Sequence, residues 1–146
     1  MAFRIRPFYN LDKPVGKGKS NVRDDVGLVQ FFLNNIRKNP QLMLGNMKTP
    51  SSQLRVTGIF DNPTHDWIVA FQTAVKAGFQ PGLLVDGIID PARGYTSQKT
   101  SITHSTYCIV LLNNAYESSN KDLFSHIWDD NDMLPDIGKK LKDDAR

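Results

Sequence analysis

Apolar residues recur at helical spacing in two segments of the chain. In the first they lie at i, i+4, i+7, i+11 and i+14, and they comprise Val22, Val26, Val29, Leu33 and Ile36. Ser20 or Asn21 is expected to cap this helix, and Pro40 follows its end. The second segment ends at Gly78, a residue type common at helix C-termini, and its apolar positions are Trp67, Phe71, Ala74 and Val75. The pattern predicts two amphipathic helices.

The remaining segments carry weaker patterns. Residues 1–20 open with an alternating pattern that suits one short strand and then loosen into a loop. Residues 105–116 suit a helix or a buried strand, and the polar positions that extend the run favour the helix. A short helix is predicted around residues 123–128, capped by Ser119 or Asn120, and the tail beyond Pro135 is expected to fray.

A six-residue sequence motif, called the repeated phrase below, occurs twice. Val-Thr-Gly-Ile-Phe-Asp at 56–61 is repeated as Val-Asp-Gly-Ile-Ile-Asp at 85–90, 29 residues further on. Each copy predicts a glycine turn followed by an apolar pair that can enter a core. Asp61 or Asn62, and Asp90, can cap helices opened by the prolines that follow. We therefore expect a duplicated unit of turn, apolar plug and capped helix.

Three motifs in this order are typical of one family. Residues 26–33 match a first-helix pattern Val-x-x-Leu-Gln-x-x-Leu, with Val in place of the first Leu. Residues 57–72 match Asp-Gly-Ile-Phe-Gly followed by Pro and a helix ending Ala-Phe-Gln, and residues 85–91 match Val-Asp-Gly-Ile-Val-Gly-Pro. Over residues 20–95 the chain therefore resembles the small three-helix peptidoglycan-binding domain found beside many bacterial and phage cell-wall hydrolases. Two departures are Asp61 and Asp90, which replace the family glycines, and residues 100–146 have no counterpart.

The resemblance implies a fold class and a domain division. The fold is expected to be mainly α: a three-helix peptidoglycan-binding-domain-like bundle with a duplicated turn–helix unit, plus an extra helical C-terminal extension. The expected parts are a basic N-terminal arm at 1–20, the peptidoglycan-binding-like domain at 21–116, and a helical extension and tail at 117–146.

The resemblance also implies a function: non-catalytic binding of peptidoglycan, a sugar–peptide polymer that suits a shallow groove with aromatic faces. The candidate ligand contacts around the repeated turns are Phe60, Thr64, Trp67, Arg93 and Tyr95. For Phe60 and Trp67, core packing is the preferred interpretation. The alternative is a protein–protein adaptor or structural component of a phage-tail-like, contractile injection or secretion apparatus built on the same fold.

The first helix is apolar on a second side. Leu28, Phe31 and Phe32 lie off its main stripe. We expect the C-terminal segment to cover them through Leu111, Phe124, Ile127 or Trp128. Without such a cover, the three side chains would form a partner-binding surface.

Charge and composition exclude several classes. The 146 residues carry a net charge of +3, which is too weak to indicate nucleic-acid binding. The positive charge is concentrated in residues 1–23, where six basic residues against one acidic residue give +5, while the rest of the chain carries −2. No membrane span or signal peptide is predicted. We expect the protein to be made in the cytoplasm and to be released, if at all, by lysis or by a secretion or injection machine.

No catalytic constellation is predicted. His65, His104 and His126 lack metal-ligand spacing, and Cys108 is alone in an apolar run, where a buried inert thiol is expected. We therefore expect a chain that is not an enzyme and needs no cofactor or metal.

Overall fold

The computed structural model describes residues 8–43, 47–92 and 107–144, and these residues are mainly helical. The described α-helices are α1 (Arg23–Lys38), α2 (Asn62–Gly78), α3 (Cys108–Ser119), α4 (Lys121–Phe124) and α5 (Pro135–Asp144). Two 3₁₀ turns lie at Pro40–Met43 and Ile127–Asp129. Within the described residues the β-structure is one isolated antiparallel bridge, between Val15 and Ile89. The mainly-α prediction is confirmed.

Helix α1 is the centre of the molecule. Every residue from Asp25 to Ile36 is buried, as expected for a helix that is packed on all sides. Its predicted side-chain cap is wrong: Val22 occupies the N-cap position, and no side chain caps the helix. Asn21 instead has a φ of 48° and clamps the preceding loop, accepting from Gly16 N–H and donating to the Gly16 carbonyl, both at 2.9 Å.

Helix α3 covers the second apolar side of α1. The Tyr116 ring lies 5.2 Å from that of Phe31 and 5.7 Å from that of Phe32, centroid to centroid. Leu28, Phe31 and Phe32 are at most 2% exposed. The alternative of an exposed partner surface at these three residues is therefore wrong, because the C-terminal part of the chain fills the space beside them. Tyr116 makes these ring contacts, and its role was not predicted.

The described part of the N-terminal segment is not a detached arm. Tyr9, Leu11 and Val15 are buried in the core. The backbone N–H and carbonyl of Tyr9 both bond to the Asn113 amide, at 2.7 and 2.9 Å. Asp25 holds the next residues, because its carboxylate accepts both the Asp12 and the Lys13 N–H at 3.0 Å. Residues 8–16 of the predicted N-terminal arm at 1–20 therefore pack against the rest of the structure.

The predicted frayed tail is also wrong. Helix α5 extends to Asp144, and its Ile137 is 1% exposed, packed where a Cβ at Gly27 of α1 would collide with it. Arg23 forms an ion pair with Asp136 at 2.9 Å. Lys140 forms ion pairs with Asp12 at 3.2 Å and with Asp24 at 3.1 Å. The buried apolar residues from Tyr9 to Ile137 form one continuous core. The predicted boundary after residue 116 falls inside α3.

The remaining sequence predictions have mixed outcomes. Helix α2 ends at Gly78 as expected, and Asp61 caps it by accepting the Thr64 N–H at 3.0 Å. In the segment at 105–116 the helix prediction is confirmed from Cys108 onward. The short helix predicted at 123–128 is divided into α4 and a 3₁₀ turn, without a side-chain cap. No helix begins between Asp90 and Ala92; the Ala92 N–H is accepted by the Asn10 side chain at 2.9 Å.

Replacing Ile137 with Ala tests whether α5 belongs to the cooperative core. The Ile137→Ala variant leaves a cavity against α1, and we expect the free energy of unfolding to fall by about 2–4 kcal/mol. Urea unfolding followed by circular dichroism measures the change. Leu84→Ala, at a residue that is 61% exposed, is the control and should change stability by less than about 0.5 kcal/mol. Equal stability of the two variants would contradict the docking of α5.

Candidate functional site

The first copy of the repeated phrase is a glycine turn held by a buried side chain of α1. Gly58 has a φ of 80°, a conformation that favours glycine. Gln30 Oε1 accepts the N–H groups of Thr57 and Gly58 at 2.8 and 2.9 Å. Gln30 Nε2 donates to the Ile59 carbonyl and to Thr64 Oγ1, both at 2.9 Å. One amide therefore satisfies the turn and ties it to the first turn of α2.

The second copy is held in the same way by α2. Gly87 has a φ of 73°. Gln72 Oε1 accepts the Gly87 N–H at 2.8 Å, and Gln72 Nε2 donates to the Ile88 carbonyl at 2.9 Å. The same Nε2 lies 3.8 Å from the Cys108 sulfur, at the start of α3. Cys108 thus takes the place that Thr64 has in the first unit.

The two units agree in their local geometry as well. Thr57 Oγ1 accepts the Ile59 N–H at 3.1 Å, and Asp86 Oδ1 accepts the Ile88 N–H at 3.0 Å. Gln30 and Gln72 are at most 1% exposed. A glutamine suits both positions because its amide supplies an acceptor and two donors at the end of a flexible stem. Both glutamines lie in the motifs that resemble the peptidoglycan-binding family, but their role in bracing the turns was not predicted. A single uncharged polar residue on an apolar helix face is a signal for such a role.

The apolar pairs enter the core only in part. Ile59 is 67% exposed, whereas Phe60 is half-buried against the core. In the second unit Ile88 is half-buried and Ile89 is fully buried. The prediction that both members of each pair plug the core is therefore corrected. Successive residues of an extended segment point to opposite sides, so only the second member faces inward.

The second turn is covered and the first is open on its outer side. A Cβ at Gly16 would lie 2.9 Å from the Gly87 carbonyl oxygen and from Ile88 Cγ1, so the N-terminal segment lies directly on the turn. His65 of α2 packs against Gly87 from another side. In the first turn the Arg23 side chain packs against Gly58 and donates to the Thr57 carbonyl at 2.8 Å, whereas Ile59 on the outer side is 67% exposed.

The candidate ligand contacts are distributed unevenly. Thr64 is fully buried, with its hydroxyl bonded to Gln30 and Asp61. Trp67 is 2% exposed and donates from Nε1 to the Ser52 carbonyl at 3.1 Å. This burial corrects the assignment of Thr64 as a ligand contact, and for Trp67 it agrees with the preferred interpretation of core packing. Phe60 remains accessible in part, and Arg93 and Tyr95 lie outside the described residues.

Acidic side chains surround the turns. Asp61, Asp86 and Asp90 are exposed. Partial burial, and secondarily the nearby Asp86 charge, raises the pKa of the Asp90 carboxyl, whereas Lys19 opposes the shift. In the part of the chain that the structure describes, no group of three or more His, Cys, Asp or Glu side chains is arranged to hold a metal ion.

A separate apolar groove lies between the first 3₁₀ turn, α2 and α3. Its volume is about 210 Å³, and at its rim Phe79 is 46% exposed. Its lining is Leu42, Met43, Phe71, Val75, Phe79, Leu111, Asn114, Ala115 and Ser118. Such a groove suits an apolar side chain of a partner.

Comparison with known proteins adds no relative. No protein-family model matches the chain, and no match was found among curated proteins or solved structures. Of the helices in the described ranges, none has the length and apolar character needed to cross a bilayer.

Removing either bracing glutamine should be costly. We expect Gln30→Leu and Gln72→Leu each to lower the free energy of unfolding by about 2–4 kcal/mol, because buried backbone groups of the turns lose their partners. The larger loss is expected for Gln30→Leu, since Gln30 satisfies two N–H groups. Chemical unfolding measures the loss, and amide exchange at Gly58 and Gly87 localises it. Gln41→Leu, at an exposed position, is the control; a loss no greater than in this variant would refute the bracing role.

The thiol of Cys108 should be unreactive in the folded protein. Burial raises its pKa from 9.0 to about 12. The folded state therefore favours the protonated thiol, and its contribution to stability is lost as the pH rises from 9.0 towards about 12. At pH 8 we expect an aromatic disulfide reagent such as DTNB to react only as fast as the protein opens, and to react rapidly in guanidinium. Rapid reaction of the native protein would contradict this burial.

Proposed function

We propose that the chain is a non-catalytic peptidoglycan-binding module of the three-helix type, with an added C-terminal helical extension. The observation that carries the proposal is the pair of glutamine-braced glycine turns. The bracing residues Gln30 and Gln72 are the glutamines of the two helix motifs on which the family resemblance rests, and each holds a copy of the repeated phrase. The shared motifs therefore correspond to one repeated physical unit in this chain.

The expected binding surface lies around the first turn. Phe60 offers part of an aromatic face, and exposed Asp61 offers Oδ2 as an acceptor beside it, since its Oδ1 is bonded to Thr64. An aromatic face with neighbouring hydrogen-bonding groups suits a sugar–peptide polymer. A buried, protonated thiol and carboxylates engaged in caps and turns are consistent with binding without bond cleavage.

Retention on purified sacculi tests the proposal. We expect the full chain to co-sediment with sacculi at moderate salt, and Phe60→Leu to reduce retention several-fold, since it keeps packing volume but removes the ring. The matched control is Phe79→Leu, at the exposed aromatic residue beside the groove. Absence of retention, or equal loss in both variants, would count against binding at the first turn.

The alternative function is favoured by the groove beside Phe79. An apolar groove with an exposed aromatic rim suits a protein partner, as expected of an adaptor or structural component in a phage-tail-like, contractile injection or secretion apparatus. In the sacculus experiment this alternative predicts no retention of either variant.

A further inference from the structure

The second turn is paired with an extended segment of the same chain. Val15 and Ile89 exchange two backbone hydrogen bonds, at 3.0 Å from the Val15 N–H and 2.9 Å from the Ile89 N–H. Gly16 then lies against Ile88 with no room for a side chain. The second turn is therefore paired with a β-branched residue followed by a glycine.

The first turn lacks this pairing. Phe60 holds the position that Ile89 has in the second copy. Among the described residues, neither the N–H nor the carbonyl of Phe60 has a hydrogen-bond partner. Ile59, at the position of Ile88, is 67% exposed. A backbone donor, a backbone acceptor and an apolar side chain are thus left open together.

The turn that presents these groups is held in place by hydrogen bonds. The Ile59 N–H is bonded to Thr57 Oγ1 and its carbonyl to Gln30 Nε2. Ile59 is therefore fixed directly before Phe60, so the free N–H and carbonyl of Phe60 are already positioned for a partner strand. Preorganisation of this kind lowers the entropic cost of strand addition.

We propose that the first turn docks an extended segment of a partner protein, which forms with Phe60 the antiparallel bridge that Val15 forms with Ile89. The chemistry of the segment follows from the occupied copy: a β-branched residue pairs with Phe60, and a glycine then lies over Ile59. A basic residue shortly after the glycine is favoured, because Asp61 has the sequence position of Asp90, and the Lys19 charge acts on Asp90. This docking site shares Phe60 and Asp61 with the proposed wall-binding surface, but the argument for it does not depend on peptidoglycan binding.

The probe is a nine-residue peptide with the sequence of residues 11–19, which contains the segment that occupies the second turn. It is titrated into the full ¹⁵N-labelled chain. We expect saturable amide shifts at Ile59 and Phe60 with a Kd in roughly the millimolar range, as suits two backbone bonds and one apolar contact. Amide exchange at Phe60 should be fast in the free protein and should slow by roughly tenfold at saturation.

Two controls isolate the backbone bridge and the apolar contact. A peptide N-methylated at its valine loses the bridging N–H and should not bind. Ile59→Ser should weaken binding by roughly fivefold, whereas Leu84→Ser, at another exposed apolar residue, should not.

Four outcomes would overturn the proposal. They are no shift up to roughly 10 mM peptide, equal binding of the methylated peptide, shifts confined to Val15 and Ile89, and a Phe60 amide already protected in the free chain. The last would mean that another part of the chain occupies the turn. Sacculus retention is measured separately, so loss of retention with intact peptide binding refutes only the proposed function.

Discussion

The structure depends on two buried amides that hold the chain where it has no regular backbone pairing. Helix α1 is packed on all sides, so the position of Gln30 is fixed. Gln30 fixes the first turn and, through Thr64, the start of α2. Gln72 then fixes the second turn beside the start of α3. Each step relies on the one before, so the helices are coupled through side-chain-to-backbone bonds as well as through the core.

This coupling explains why the two glycines matter. A positive φ directs the backbone N–H groups of each turn towards the helix that braces it. A residue with a Cβ would be strained in that conformation, and at Gly58 it would also meet the Arg23 side chain. The glycine turn and the glutamine that braces it therefore form one structural unit, and the chain contains this unit twice.

Sequence periodicity was sufficient for the elements whose contacts are local. The buried stripe from Val26 to Ile36 and the Asp61 cap follow from spacing within a few turns of helix, whereas Val22, predicted in the same stripe, is the exposed N-cap residue. The N-terminal segment was missed because its partners are distant: Tyr9 bonds to Asn113, 104 residues away. Helix α5 was missed because its charged sequence suggests a solvated tail. Its packing on α1 depends on Gly27, because a side chain at that position would collide with Ile137. Of the candidate contacts, Thr64 was misplaced because a hydroxyl that serves Gln30 cannot be distinguished in sequence from one that faces a ligand.

The asymmetry between the two units indicates where recognition can change without loss of the fold. In the second unit Ile88 and Ile89 are covered by the N-terminal segment, so substitutions there act on stability. In the first unit the turn is held from inside by Gln30, while Ile59 contributes little buried area. Because bracing and exposure fall on different residues, the outer side of the first turn can vary in chemistry at small cost in folding free energy. The residues that support the first turn are thus separate from those that its outer side exposes, as the proposed binding function requires.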